Sequence, residues 1–507
     1  MAIVNFAITL LLLEVFLLLA LAGVESAATL SLERRLPENV EPSELLRRDS
    51  SRHHRKLAES YDGVIDFTVD GTSNPYITGI YYTRIKLGSP PKEYYVQIDT
   101  GSDVLWVGCN SCHGCPTSTN LNIRLEMFDP TSSSTASVVS CLNRRCDFKS
   151  PVIPEKTCPY QAKQCKYTLE YGDGSTTSGY YVEDVIHIDR VVGSSVISNI
   201  TAPIVFGCST SESGRISNRM GAVNGIFGFG QQGLSVVSQL FSQEIAPDSF
   251  SHCLKGGDSG GGILVFGQIE EPNLVYTPLL PSRTLYFVNL LSISVNGLYS
   301  PSNPSVHSIS SNEQSLIDSG TTLAYLEEKV YDHLVNAITQ AVSKSVPPLH
   351  HKGFQCYIIR PRLSAIFPSI IIQVVVSRLF PSVTLNFAGG ASMIVTPEDY
   401  LLQQITVDGA LVRCLGFQKS KHQGFTILGD IVLKDRVVIY DLGRQRIGWA
   451  DYDCSLPVNV SMNASSGTTR DYVTARSIGG TNSIREDLIQ RIIPISIIFL
   501  LLHISIF

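Results

Sequence analysis

The chain has 507 residues, of which 44% are hydrophobic and 17% charged, a balance that supports buried cores and excludes a disordered chain. Its formal net charge of -6 leaves no electrostatic footprint for nucleic acid. At about 150 residues per domain it has room for two to four domains, and 39 Gly and 25 Pro against 5 Met and 2 Trp favour strands and turns over a helix bundle.

Residues 1–28 contain an apolar run, Ala7 to Val24, followed by the small residues Ala27 and Ala28, and read as a secretory signal. Glu14 interrupts the run and no Lys or Arg precedes it, so an uncleaved anchor is the alternative. Entry into the secretory pathway makes the 12 cysteines disulfide partners rather than metal ligands. It also exposes the sequons at Asn199, Asn459 and Asn463 to glycosylation. Residues 29–65 are polar and basic, with Arg34, Arg35, Arg47, Arg48, Arg52, Arg55 and Lys56. They read either as a solvated linker or as a propeptide whose cations pair with an acidic cleft until the pH falls.

From about Asp66 the pattern changes to short β-rich runs: Tyr81 to Leu87, Tyr94 to Ile98, Val104 to Val107 and Tyr180 to Ile188. Gly, Pro, Asn and Ser punctuate them, which is all-β spacing. Two helices are expected, a short one over Leu234 to Phe241 and one over Glu327 to Val342, with Val330, Leu334, Ala337 and Ala341 near 3.6 spacing. Beyond Cys454 the composition shifts, and residues 456–482, rich in Ser, Thr, Asn and Gly, read as a flexible stalk. In residues 483–507 a polar stretch leads into an apolar one, Ile492 to Phe507, and the small residues Gly479, Gly480 and Thr481 precede both. Small site, polar spacer and apolar tail resemble a GPI-attachment signal, with a second small cluster at Ala464 to Gly467 competing as the attachment site. A tail-anchored helix is the alternative, although the apolar stretch falls short of the ~20 residues that a span needs.

An internal repeat organises the middle of the chain. Val96-Gln97-Ile98-Asp99-Thr100-Gly101-Ser102 recurs as Ser315-Leu316-Ile317-Asp318-Ser319-Gly320-Thr321. Each copy is followed downstream by an apolar pair and a glycine, Ile226-Phe227-Gly228 and Ile427-Leu428-Gly429. Two β lobes of ~190 residues each are expected, residues 66–275 and 276–455. A strand that ends in Asp delivers the carboxylate to the interior, and the glycine lets the chain turn under it. Two such loops related by pseudo-symmetry bring two carboxylates face to face, where like charges cannot both ionise easily and one proton is shared. Such a pair activates a water as general base on one side and donates a proton on the other.

These motifs resemble the pepsin-like aspartic peptidases over roughly residues 75–454, which implies an all-β, bilobal fold with a few short helices and peptide-bond hydrolysis. By that resemblance Asp99 and Asp318 are the catalytic pair, and Thr100, Gly101, Ser102, Ser319, Gly320 and Thr321 complete their loops. Tyr171-Gly172-Asp173-Gly174-Ser175 matches the flap hairpin, with Tyr171 as the flap tyrosine and Trp106 as its buttress. The chain is most similar to the plant nepenthesin-like group, marked by a Cys-rich insertion that here holds Cys109, Cys112, Cys115, Cys141, Cys146, Cys158 and Cys165, with Cys208 beyond it. The resemblance pairs Cys253 with Cys454 and Cys356 with Cys414. Cys109 is expected to join Cys208, since each follows a strand of the active-site core, while pairing inside the insertion stays open. The Cys-x-x-Cys-x-x-Cys run could suggest zinc, but secretion and an even cysteine count favour disulfides. No metal or organic cofactor is implied. The expected partners are a polypeptide substrate and a membrane reached through the lipid anchor. The protein is expected to be a monomer at the extracellular face of the plasma membrane, with the cell wall or medium as the alternative.

One segment departs from the family pattern. Ile366-Phe367-Pro368-Ser369-Ile370 is echoed by Leu379-Phe380-Pro381-Ser382-Val383, with the apolar run Ile371 to Val376 between them.

Overall fold

The computed structural model describes residues 63–473, apart from 73–79, 120–123, 144–145, 147–163, 193–194, 219–222, 258–259, 296–313, 343–345, 360–375, 377–378, 403–404, 408–409, 421–423 and 462–469. The expected signal (1–28), nearly all of the expected propeptide, the expected attachment signal (483–507), Cys158, Asn463 and the first of the two echoed segments (366–370) lie outside the described residues.

The fold is all-β and bilobal, with four short α-helices among the described residues. In the first half the strand Lys92–Asp99 buries Tyr94, Val96 and Ile98 on alternate positions, as a half-buried strand must. It pairs antiparallel with Tyr81–Leu87 and parallel with Gly225–Gly228. The next strand, Trp106–His113, lies on the other side of Gly225–Gly228. The chain therefore leaves the first strand at Asp99, loops wide and returns, and the glycine-bearing strand threads the gap. The second half repeats this arrangement. Gln314–Ile317 runs parallel to Phe425–Leu428, whose other edge takes Ala324–Leu326. The strands that lead to the downstream glycines of the repeat thus separate the arms of each Asp loop. The glycines' lack of a side chain is required. A Cβ on Gly228 would lie 2.5 Å from Val104 N, and one on Gly429 would collide with the carbonyls of Thr321 and Leu323.

The two halves share a sheet. Ser249–Leu254 from the first pairs antiparallel with Arg436–Asp441 from the second, His252 opposite Val438, and Cys253 is joined to Cys454 beside that seam. The chain enters the sheet earlier than composition suggested. The strand Val64–Gly71 takes in Val64 and Ile65 from the segment expected as propeptide (29–65), and both are fully buried. Ile65 belongs to the core that holds Leu264 and Phe266, and Val64 to the cluster that holds Ile263 and Val265.

Residues 456–482, expected as a flexible stalk, begin with a strand instead. Val458–Ser461 pairs with Gln268–Glu270 on one edge and Arg470–Val473 on the other. Val458 and Val460 are buried in the cluster of Cys253, Ile263, Val437 and Cys454, while Asn459 between them is exposed. Alternation at period two overrides the Ser/Asn-rich composition. The helices stand at Val236–Ser242 and Glu328–Ala341. The second buries Val330, Tyr331, Leu334 and Ile338; Ala341, expected on that face, is exposed and Val342 beyond it is buried. Of the echoed segments, the second feeds the sheet: Phe380 packs edge-on to Tyr357 at 5.2 Å, and Val383 opens the strand Val383–Phe387.

Val460→Asp places an unpaired charge in that buried cluster and should lower unfolding free energy by about 3 kcal/mol or more. Asn459→Asp, on the exposed face of the same strand, should stay within about 0.5 kcal/mol. Chemical denaturation of both variants reads the difference; equal, small effects would mean that the segment is a stalk after all.

Candidate active site

The two Asp loops meet at the centre of the molecule, where Asp99 is 5% and Asp318 7% exposed. Fully buried Thr100 and Ser319 lock the loops together. The Thr100 amide donates to Ser319 Oγ at 3.2 Å and the Ser319 amide to Thr100 Oγ1 at 3.0 Å. Each hydroxyl then donates across to the opposite strand, Thr100 to the Ile317 carbonyl at 3.1 Å and Ser319 to the Ile98 carbonyl at 3.2 Å. The four bonds form two equivalent pairs, one from each copy of the repeat.

The glycines bring the carboxylates together. A Cβ on Gly101 would lie 2.5 Å from Asp318 Oδ1, and one on Gly320 would collide with Asp99 Oδ1. Each carboxylate therefore rests on the bare glycine of the opposite loop. Within its own loop, Asp99 accepts from the Gly101 amide (2.9 Å) and the Ser102 hydroxyl (2.5 Å). Asp318 accepts from the Gly320 amide (2.8 Å) and the Thr321 hydroxyl (2.6 Å). Burial drives both carboxyls above the usual carboxylate range, the neighbouring Asp318 charge raises Asp99 further, and these donors pull each back down. Each carboxyl acts on the other, so the titration belongs to the pair and not to either residue. The pair holds one proton between two inequivalent carboxylates.

Tyr171 stands at the turn of the hairpin formed by Lys166–Glu170 and Thr176–Val192. The Tyr171 hydroxyl accepts from the Trp106 indole at 2.6 Å. Burial and the Asp99 charge raise the Tyr171 phenol well above its ordinary value. Gly174 sits at a φ of 83° and closes the turn on the Tyr171 carbonyl, a conformation that suits glycine.

Three groups in this centre carry no repeat signature and were missed in the sequence. Asp430 follows Gly429 and is fully buried with Oδ1 unpartnered; burial, then the charges of Asp318 and Asp99, push its carboxyl well above the usual range. Its signal was only an acidic residue after the second Ile-Leu-Gly. Gln97 donates to the Gly320 carbonyl across the halves at 3.2 Å. Behind the loops, His252 Nε2 meets the Tyr440 hydroxyl at 3.1 Å.

Cys109 is joined to Cys208, Cys112 to Cys115, Cys146 to Cys165, and Cys356 to Cys414. Cys141 is disulfide-bonded too. Cys112, Cys115 and Glu212 gather their ligand atoms within 4.8 Å, but the two sulfurs are bonded to each other, which leaves one carboxyl and no thiolate for a metal. Asn199 is exposed and donates to Asp189 Oδ1 at 2.7 Å.

Residues 81–268 match the family described as xylanase inhibitor N-terminal, and residues 285–451 the one described as xylanase inhibitor C-terminal. Aspartic proteinase 36 of Arabidopsis thaliana is 38% identical over 425 residues, 82% of either chain. Aspartic proteinase nepenthesin-1 of Nepenthes gracilis is 27% identical over 428 residues, 82% of this chain and 88% of that one. Among solved structures, basic 7S globulin from soybean aligns with a TM-score of 0.56 at 21% identity, covering 77% of this chain and 97% of the other. Conglutin gamma from lupine seeds gives 0.57 at 22%, covering 76% and 94%. At such identities these two speak for the fold. The chain belongs to the pepsin-fold aspartic proteinase family, in its branch with the xylanase-inhibitor-type halves.

Burial raises further carboxyls, Asp103 and Asp248 to about 6 each and Glu212 to about 8. The unfolded chain releases these protons near 3.8 for Asp and 4.5 for Glu, so between about pH 4 and 8 the folded chain holds more protons and loses stability as pH rises. Each such carboxyl contributes about 1.4 kcal/mol per pH unit within its window. Buried His252, lowered from 6.5 to about 3, opposes them, because it removes stability as pH falls through that range. The carboxyls outnumber it. Thermal unfolding should therefore occur at a higher temperature at pH 5 than at pH 7.5, and Asp430→Asn should shrink that difference. A midpoint that rises with pH would contradict this balance.

Proposed function

We propose that the protein is an aspartic-type endopeptidase that hydrolyses extended polypeptides in the cleft between its lobes. The observation that carries this reading is the reciprocal packing of Asp99 and Asp318 on the glycines of each other's loops, with the Tyr171 hydroxyl fixed by Trp106. A water between the carboxylates would lose a proton to the ionised member of the pair as it attacks the scissile carbonyl, while the protonated member donates to the carbonyl oxygen. The pair ends with its proton exchanged between partners, and collapse of the intermediate returns it as the amine leaves. Ser102 and Thr321, which hydrogen-bond the outer oxygens, hold each carboxylate in the plane this exchange needs. Tyr171 closes over the peptide backbone. The cleft is expected to favour bulky apolar side chains beside the cut.

The descriptions of the two matched families favour a second reading, a binding protein that inhibits a glycan-degrading enzyme and cleaves nothing. Both aspartates, both loop hydroxyls and the flap tyrosine are present, and a binding role needs none of them. We further infer a zymogen whose basic segment, ending before the strand Val64–Gly71, is removed on activation, and a GPI-anchored, glycosylated mature protein at the cell surface.

Wild type freed of its propeptide should cleave an unfolded protein at acidic pH and be blocked by a statine-type transition-state analogue, while Asp99→Ala should lose roughly a thousandfold or more. Equal cleavage by both proteins, or none by wild type, sinks the peptidase reading. Phosphatidylinositol-specific phospholipase C should release the protein from membranes, whereas retention would favour a transmembrane tail.

A further inference from the structure

Of the five disulfides with both halves described, four have both cysteines buried. Cys112–Cys115 differs: both cysteines are half-buried and within reach of solvent. It also closes a loop of only three residues' separation, so it constrains the unfolded chain least.

This bridge has an acid behind it. Glu212 Oε1 stands 2.8 Å from Cys115 Sγ, and Glu212 is 7% exposed. A disulfide sulfur carries no hydrogen, so the proton in that contact is the carboxyl's. The groups that act on Glu212 are the Ser209 hydroxyl on its own strand, the Tyr167 phenol from the strand Lys166–Glu170 and the Tyr171 phenol at the hairpin turn. Among the described residues no charged partner acts on it, and burial holds it protonated through neutral pH. The loop is fitted against this residue, since a Cβ on Gly114 would lie 2.6 Å from the Glu212 carbonyl.

We propose that Cys112–Cys115 is a thiol–disulfide exchange site for a dithiol reductant, with Glu212 as the proton donor to the departing Cys115 sulfur. The reductant's thiolate attacks Cys112 Sγ and forms a mixed disulfide. The Cys112–Cys115 bond breaks, its electron pair moves to Cys115 Sγ, and that sulfur takes the Glu212 proton. The reductant's second thiolate then displaces Cys112, whose thiolate takes a proton from water, so the dithiol is oxidised to a disulfide while the protein gains two thiols, and Glu212 regains a proton from water. Departure of a thiol rather than a thiolate lowers the barrier. The position gives the exchange a consequence. Glu212 pairs with Thr177, which sits in the second pair below the turn that carries Tyr171, so opening the bridge frees the loop that backs the outer part of the hairpin. That consequence rests on the peptidase reading; the exchange site does not.

The test treats the full chain with dithiothreitol under native conditions, traps thiols by alkylation and maps them by mass spectrometry. Cys112 and Cys115 should be labelled first, well before Cys109, Cys208, Cys253, Cys356, Cys414 or Cys454. Glu212→Gln should open roughly tenfold more slowly than wild type at pH 6, and the ratio should close above pH about 8, where Glu212 ionises. Comparing both proteins at the same pH cancels the reagent's own titration. If the variant does not fold, the wild-type rate relative to a linear Cys-x-x-Cys peptide should show the same pH profile. First labelling at Cys141 or at a buried cysteine, or a ratio flat with pH, would overturn the proposal.

Discussion

The molecule is organised around one steric constraint: two buried carboxylates approach only because each rests on a glycine of the opposite loop. Two like charges buried together repel, and desolvation penalises both. The fold must therefore supply a rigid frame and enough donors to hold one shared proton. Thr100 and Ser319 supply the frame, with four cross-loop hydrogen bonds between fully buried groups. The strands with Gly228 and Gly429 wedge each loop open from behind. The shared sheet, stapled by Cys253–Cys454, fixes the two halves so that these loops meet in register.

Burial of acids extends beyond that pair. Asp103, Asp248, Glu212 and Asp430 are all pushed upward, each chiefly by desolvation. A chain built this way keeps its carboxyls neutral at a pH where an ordinary surface would be ionised. A carboxyl pair that holds one proton works over the same acidic range, so stability and the proposed chemistry favour the same conditions. Glu212 is set apart from the other acids by the sulfur atom in front of it.

Much of the site was legible in the chain because it is duplicated. One Asp-Thr-Gly is common turn chemistry, whereas two copies with matching apolar flanks and matching downstream glycines specify loops, lobes and a pair of carboxylates. The strand Tyr81–Leu87 and the helix at 328–341 were legible from periodicity. Composition misled at 456–482, where Val458 and Val460 make a strand inside a Ser/Asn-rich stretch. Asp430, Gln97 and His252 left no pattern, because each acts through a neighbour distant in sequence.

What the sequence determined by itself is local and repeated: which residues are strands, which loops carry the acids, and why glycine must follow them. Tertiary structure alone decided what depends on distance. It set Gly101 under Asp318 and Gly320 under Asp99, aimed Trp106 at Tyr171, chose Cys112–Cys115 among the open pairings, and placed Glu212 behind that bridge. The physical reason is that hydrogen bonds, desolvation and sulfur–oxygen contact act over a few ångströms, and the groups they join here are often about a hundred residues or more apart along the chain.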